Sequence, residues 1–275
     1  MCLILMAYRV HPRYPLILAA NRDEFYDRPT AAAGFWEGQL DLLAGKDLVH
    51  GGTWLGVTRQ GRLGAVTNYR DPRHVIPDAR SRGELVTSFL CSAVDAGGFL
   101  ANLGDQSAAY NGFNLLVGDV EQLLYFSNRA GKIVPIEPGI HGVSNHLLDT
   151  PWPKVARGKE LLARAVAAGD VSAERLFTIL ADREKPCDAE LPATGVSLEW
   201  ERLLSSIFIV SPTYGTRAST VLLVNEHREL AFVERSFPPV GDPITREVHF
   251  SLEAGASPEA VPSCHFGARR AGAPD

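Results

Sequence analysis

Two apolar runs, residues 2–8 and 16–20, flank the stretch RVHPRYP, and short apolar segments on either side of a turn recur along the chain. Runs this short, closed by proline or glycine, read as antiparallel strand pairs rather than helices. GGTWLGVT and RLGAVTNY form a second pair, turning at Gln60-Gly61. FNLLVGDV and QLLYFSNR form a third, closed by the turn from Asp119 to Gln122. Two helices are predicted next: PWPKVARGKELLARAVAAGD, with Pro at its start and Gly near its end, and SAERLFTILADRE, with Ser172 as N-cap. The stretch from Arg82 to Leu103 is also helical in pattern, interrupted at Gly97-Gly98. Strands resume in IFIVSP, STVLLVNE, ELAFVERSF and REVHFSL. Antiparallel hairpins with helices grouped between them need those helices to cover the sheets, which implies an α+β layered fold.

At 275 residues, 45% of them hydrophobic and 21% charged, the chain can bury one sizeable core. A single domain is expected over residues 1–254, followed by a poorly ordered tail over 255–275 that is rich in Ala, Gly and Pro. A net charge of -5 gives no long-range attraction to a phosphate backbone, so nucleic acid is not an expected partner. Cys2, Cys91, Cys187 and Cys264 lie far apart, which fits neither a zinc site nor a disulfide scaffold and points to a reducing compartment. The first apolar run has no basic region ahead of it, and nothing approaches the ~20 apolar residues of a membrane helix. A cytoplasmic protein with no integral membrane segment is expected. No two histidines have metal-ligand spacing on a helix, and GGTWLG lacks the Lys-Ser/Thr of a phosphate loop.

The chemistry-bearing candidate is Cys2. Removal of the initiator methionine would leave an α-amine, with an ordinary pKa of about 7.7–8.0, on the residue that carries the thiol. One residue would then supply both nucleophile and base. The plain alternative is a small apolar residue that starts a strand. The second run ends in Asn21, Arg22, Asp23 and Glu24, expected at a strand end near one end of the first strand. There Arg22 either pairs with an acidic neighbour on a loop or favours the thiolate of Cys2, with an acidic residue orienting the amine.

MCLI, LILAANRDEF, GGTWLG, TNYR, RGELV, YNGFNLL, GVSNHLLDTPWPK and YGTRASTVLLV occur in order from Met1 to about Phe250. Together they resemble the NRDE family, also called the transport and Golgi organisation type. The resemblance implies a four-layer αββα sandwich of the N-terminal nucleophile hydrolase type. Among relatives of that fold with an N-terminal cysteine, an Asn behind a small residue helps form the oxyanion hole. SNHLLDTPW is similar and points to Asn145, whose amide would donate to the developing charge. By the same likeness Asn68 of TNYR would contact substrate or complete that hole, and Arg217 of YGTR would sit beside Cys2. Asn21, Arg22, Asp23, Glu24, Trp54 and Asn114, all inside the quoted motifs, are the candidate substrate-binding residues. One departure stands out. Those hydrolases carry an Arg followed three residues later by an Asp, whereas here Asn21 and Glu24 hold that spacing and Arg22 is offset by one, which in a strand reverses its side-chain direction.

Two functions follow. In the first, Cys2 attacks the carbonyl of a non-peptide amide or acylated small molecule with no cofactor required. In the second, the cavity carries haem or a fatty-acyl ligand without chemistry, as the family's known roles in haem trafficking and lipid homeostasis imply. His50, His141 and His146 are the candidate axial ligands for haem.

Overall fold

The computed structural model describes residues 2–253, without the side chains of Cys2, Leu40 and Asp105. Among the described residues, thirteen strands form two antiparallel sheets. The first takes β1 (Cys2–Tyr8), β2 (Leu16–Phe25), β10 (Gly139–Val143), β11 (Tyr214–Val224), β12 (Glu229–Ser236) and β13 (Ile244–Ser251), in the order β10-β1-β2-β11-β12-β13. The second runs in chain order through β3 (Thr30–Trp36), β4 (Gln39–Asp47), β5 (Leu55–Thr58), β6 (Leu63–Asn68), β7 (Phe113–Gly118), β8 (Leu123–Ser127) and β9 (Lys132–Pro135).

Strand alternation builds the layers. Ile4, Met6, Leu16 and Leu18 enter the core between the sheets, where they meet Leu43, Leu55, Leu63, Leu116 and Tyr125 of the second sheet. Leu3, Leu5, Ile17 and Ala19 point the other way, into α3 (Pro153–Ala167) and α4 (Ala173–Leu180), against Val155, Leu162 and Phe177. Leu85, Val86 and Phe89 of α1 (Gly83–Leu90) and Leu100 of α2 (Ala96–Leu103) cover Leu115, Val117 and Phe126 on the outer face of the second sheet. The order is αββα, as the family resemblance implied. β1 is apolar on both faces because both are covered. α3 lies so close to β1 that a Cβ at Gly158 would stand 2.7 Å from Leu5 Cδ1. Among the described residues no helix is long and apolar enough to cross a membrane.

The three hairpins, both helices and the Ser172 cap appear where the sequence placed them, Ser172 Oγ accepting from Arg175 N at 3.3 Å. Three expectations are corrected. β2 does not stop at residue 20 but runs on to Phe25, paired with β1 as far as Arg22 and with β11 through Phe25. IFIVSP is not a strand: Ile209 N donates to the Thr216 side chain and Phe208 N to Asp182 O, and the segment contributes one isolated bridge, Val210 to Gly215. The helical stretch breaks before Asp95, which caps α2 by accepting from Gly98 N at 2.8 Å, so the glycine pair lies inside the second helix. Strands β3, β4, β9 and β10 and the short helix α5 (Leu198–Leu203) have no counterpart in the sequence reading. Residues 255–275, the expected tail, lie outside the described residues.

Candidate active site

One end of the first sheet gathers the motif residues. β1 pairs with β2 so that Cys2 opposes Arg22, and with β10 so that Ile4 opposes Val143. Continuing that second register sets position 145 across from position 2. β2 pairs in turn with β11, Asp23 against Thr216 and Arg22 against Ala218, with a bulge at Arg217. The N-terminus of β1, the end of β2, the residues after β10 and the start of β11 therefore meet at one edge.

Because β2 continues through Phe25, its four polar residues alternate instead of emerging together. Asn21 and Asp23 face the helix layer, and Arg22 and Glu24 face the second sheet. Asn21 is buried there, its Nδ2 donating to Leu180 O and Ile207 O, both at 2.9 Å, while its Oδ1 accepts from Ser219 Oγ at 2.6 Å. It ties β2 to the helix layer, which corrects its assignment to substrate binding. Asp23 Oδ1 accepts from Thr216 Oγ1 at 2.7 Å. Burial raises the pKa of this carboxyl, and the charge of Lys154 opposes the rise.

Asn145 is fully buried behind that edge. Its Oδ1 faces Lys154 Nζ at 3.4 Å and Arg70 Nη2 at 3.5 Å and accepts from Ser144 Oγ at 3.2 Å, while its Nδ2 donates to Asn68 O at 3.0 Å. Two cations on the oxygen polarise the amide and strengthen its N–H donors. Arg70 is itself paired with Glu201 of α5 at 2.7 Å, and Glu201 accepts from Thr194 N and Oγ1. Asn114, expected to bind substrate, is instead a buried brace: its Nδ2 donates to Thr67 Oγ1, Ser144 O and His146 O, and its Oδ1 accepts from Tyr125 Oη. It fixes the 144–146 segment to the second sheet. Arg217 donates through Nη1 to the carbonyls of Phe25, Tyr26 and Arg28 at 2.8–3.2 Å. Through that nitrogen the guanidinium holds the turn after β2.

In front of the edge opens a cleft of about 240 Å³, lined by Arg22, Glu24, Arg28, His50, Trp54 and Asn68 among others. Arg28 bridges Asp47 at 2.7 Å and meets His50 Nδ1 at 2.8 Å. Hydrogen bonds to Asp47 from Arg28 and from the backbone of Val49 and His50 outweigh its burial and lower its pKa. Trp54 lies with its ring 4.4 Å from the Arg22 guanidinium and over Gly45, where a Cβ would stand 2.3 Å from the indole. The cleft's far wall needs a second close approach, since a Cβ at Gly52 would lie 2.5 Å from the backbone carbon of Gly83.

Of the three histidines considered as haem ligands, His50 lines this cleft. His141 has both ring nitrogens engaged, Nδ1 with Asp149 at 2.7 Å and Nε2 with Glu137 O at 2.8 Å, and His146 packs between Tyr69 and Trp152. Among the described residues no three His, Cys, Asp or Glu side chains gather in a way that could hold a metal ion. The cationic partners of Asn145 escaped the sequence reading although both end quoted motifs, Arg70 in TNYR and Lys154 in DTPWPK.

A family model described as Transport and Golgi organisation 2 matches residues 1–239. The Transport and Golgi organization 2 homolog of Mus musculus is 39% identical over 258 residues, spanning 86% of this chain and 93% of that protein. The Homo sapiens homolog is 38% identical over 262 residues, with the same shares of each chain, 86% and 93%. The Drosophila melanogaster protein is 30% identical over 270 residues, covering 86% of this chain and 92% of its own. Among solved structures, a conjugated bile acid hydrolase from Clostridium perfringens aligns over 93% of this chain and 99% of its own, with a TM-score of 0.49 and 7% identity. A Caenorhabditis elegans ortholog of N-acylethanolamine-hydrolyzing acid amidase covers 81% of this chain and 92% of its own, with a TM-score of 0.39 and 10% identity.

Proposed function

This chain belongs to the Transport and Golgi organisation 2 family, and from the cleft within its αββα sandwich we propose that it is an N-terminal cysteine amidase acting on a small non-peptide amide. One observation carries the reading: the main chain of Cys2 pairs with Arg22, which lines the cleft, and the β1–β10 register, continued two residues beyond the Ile4–Val143 pair, sets position 145 across from position 2.

The chemistry needs Met1 removed. The thiol proton of Cys2 then moves to its α-amine, and sulfur bonds to the amide carbon. The carbon–nitrogen bond breaks, the amine leaves with that proton, and water splits the thioester into acid and thiol. Asn145, its oxygen held by Lys154 and Arg70, donates its remaining amide N–H toward the developing oxyanion. Asn68 borders the same cleft. Asp23, next along β2 from the residue paired with Cys2, is the acidic group that orients the α-amine. A cleft of about 240 Å³ suits a small substrate, since sites for drug-sized ligands run to roughly 300–1,000 Å³.

The test is direct. Intact mass of the protein from its native cell should show loss of Met1, and a thiol-directed electrophile should label Cys2. Turnover of a panel of short acyl amides should disappear in Cys2→Ala. A retained methionine, or turnover that survives Cys2→Ala, refutes the reading.

A further inference from the structure

Arg22 is 5% exposed, yet none of its guanidinium nitrogens makes a hydrogen bond to a described residue. Its nearest carboxylates stand off, Asp47 Oδ2 at 3.8 Å and Glu24 Oε2 at 4.0 Å from Nη2, and its Nη1 is buried with no partner. A guanidinium taken out of water without hydrogen bonds is costly, and protein interiors rarely leave one so. This one stacks on Trp54 and lines the cleft, beside the space a ligand would enter.

From this we infer that Arg22 binds the carboxylate of the substrate, so that the favoured substrates are N-acyl-α-amino acids. The inference rests on the amidase reading for the position of the scissile bond. A carboxylate is planar and singly charged, and it matches one open edge of a guanidinium through paired N–H donors. A doubly charged phosphate fits less well, because Asp47 and Glu24 already flank Arg22 and Arg28 is committed to Asp47. The neighbouring arginines Arg80 and Arg82 are also engaged, with Glu84 at 2.6 Å and with Gly112 O at 3.1 Å. Cys2 and Arg22 are directly opposed across β1 and β2, so their Cα atoms lie about 4.5–5.5 Å apart. A carboxylate on Arg22 must therefore be close in its own molecule to the carbonyl that sulfur attacks. In an N-acyl-α-amino acid only the α-carbon and the amide nitrogen separate the two.

Binding and turnover test the two ideas separately. Binding is followed by Trp fluorescence in Cys2→Ala protein, with Trp54→Phe to assign the signal, using N-butyrylglycine, N-butyrylethanolamine, butyl phosphate and inorganic phosphate. N-butyrylglycine should bind best, and Arg22→Gln should weaken it roughly 10- to 100-fold while leaving the ethanolamide unchanged. Arg22→Lys, which keeps the charge but loses the fork, should fall between. Equal binding of glycine and ethanolamide forms, tighter binding of either phosphate, or indifference to Arg22→Gln overturns the carboxylate assignment. Turnover with the native N-terminus then decides the amidase reading. Hydrolysis of all amides alike supports that reading while refuting the carboxylate preference. Selective binding without hydrolysis of any amide refutes the amidase and keeps the carboxylate site.

Discussion

Replacing Glu201 by alanine should be among the most damaging single changes outside the apolar core. Arg70 and Glu201 are 4% and 5% exposed in their side chains and 2.7 Å apart. Burial lowers the pKa of Arg70, and the Glu201 carboxylate opposes that shift, so removing it leaves a buried cation without its counter-charge. Breaking such a pair from one side costs about 3–5 kcal/mol. At about 2–4 °C per kcal/mol for a domain of this size, the midpoint should fall by roughly 6–20 °C. Scanning calorimetry in low and in molar salt is the assay. The gap to the parent protein should persist in both, because a buried pair is poorly screened. The double variant Arg70→Met/Glu201→Leu should recover most of the loss, since the cost lies in the orphaned charge rather than in the missing attraction. A fall of less than about 2 °C, against the ~6 °C minimum expected, or a gap that closes in molar salt, would mean that water reaches the pair and that Arg70 is not the buried support assigned to Asn145.

Three further outcomes are expected. Asn145→Ala should lower kcat on amide substrates by about 10²–10³-fold with a smaller change in KM, read from steady-state kinetics; equal loss in binding alone would remove its oxyanion role. His141 has its pKa raised above 6.5 by its hydrogen bond to Asp149, against the lowering effect of burial, so its stabilising contribution is complete below 6.5 and is lost as pH rises through the folded value. Asp149→Asn should lower the His141 titration, followed by NMR, and flatten that slope; an unmoved titration contradicts the pairing. Gly52→Ala drives a Cβ to 2.5 Å from the Gly83 carbon and 2.7 Å from its oxygen, both backbone atoms that cannot rotate away. It should cost about 1–3 kcal/mol in urea unfolding, and an unchanged midpoint would show that the cleft wall is slack.

The layers were legible because their signal is local. Two-face apolar strands such as CLILMAY and the amphipathic α3 declare their burial by period alone. What failed did so for tertiary reasons. TAAAGFW and QLDLLAGKD carry a blurred alternation, and they become strands because β5 and the rest of the second sheet give them a partner. IFIVSP has a strand composition, but the Thr216 hydroxyl takes the ladder position that a neighbouring strand would need. The glycine pair in α2 was read as a break, yet Asp95 caps the helix through Gly98 N and keeps both residues inside it.

The site was half legible, and the half that was missed turns on the length of one strand. Ending β2 at residue 20 makes Asn21 to Glu24 a single polar cluster, with every member a substrate contact. Extending it to Phe25 splits the cluster by parity: Asn21 and Asp23 turn toward the helix layer and Arg22 and Glu24 toward the second sheet, so that Arg22, Asp23 and Glu24 border the cleft and Asn21 does not. The offset of Arg22 by one position from the Asn21-to-Glu24 spacing thus has a consequence in space. The residues at that spacing, Asn21 and Glu24, stand on opposite faces, and the guanidinium is delivered to the inter-sheet side, opposite position 2. Motif spacing could not show that Arg22 arrives there without a hydrogen bond, because that depends on Asp47 and Trp54 from the other sheet. Nor could it show that Lys154, in the first turn of a helix that reads as amphipathic, would be buried against Asn145. The same parity makes the two ends of this tetrapeptide separable by experiment: changes at Asn21 should be felt in stability, and changes at Arg22 in what the cleft binds.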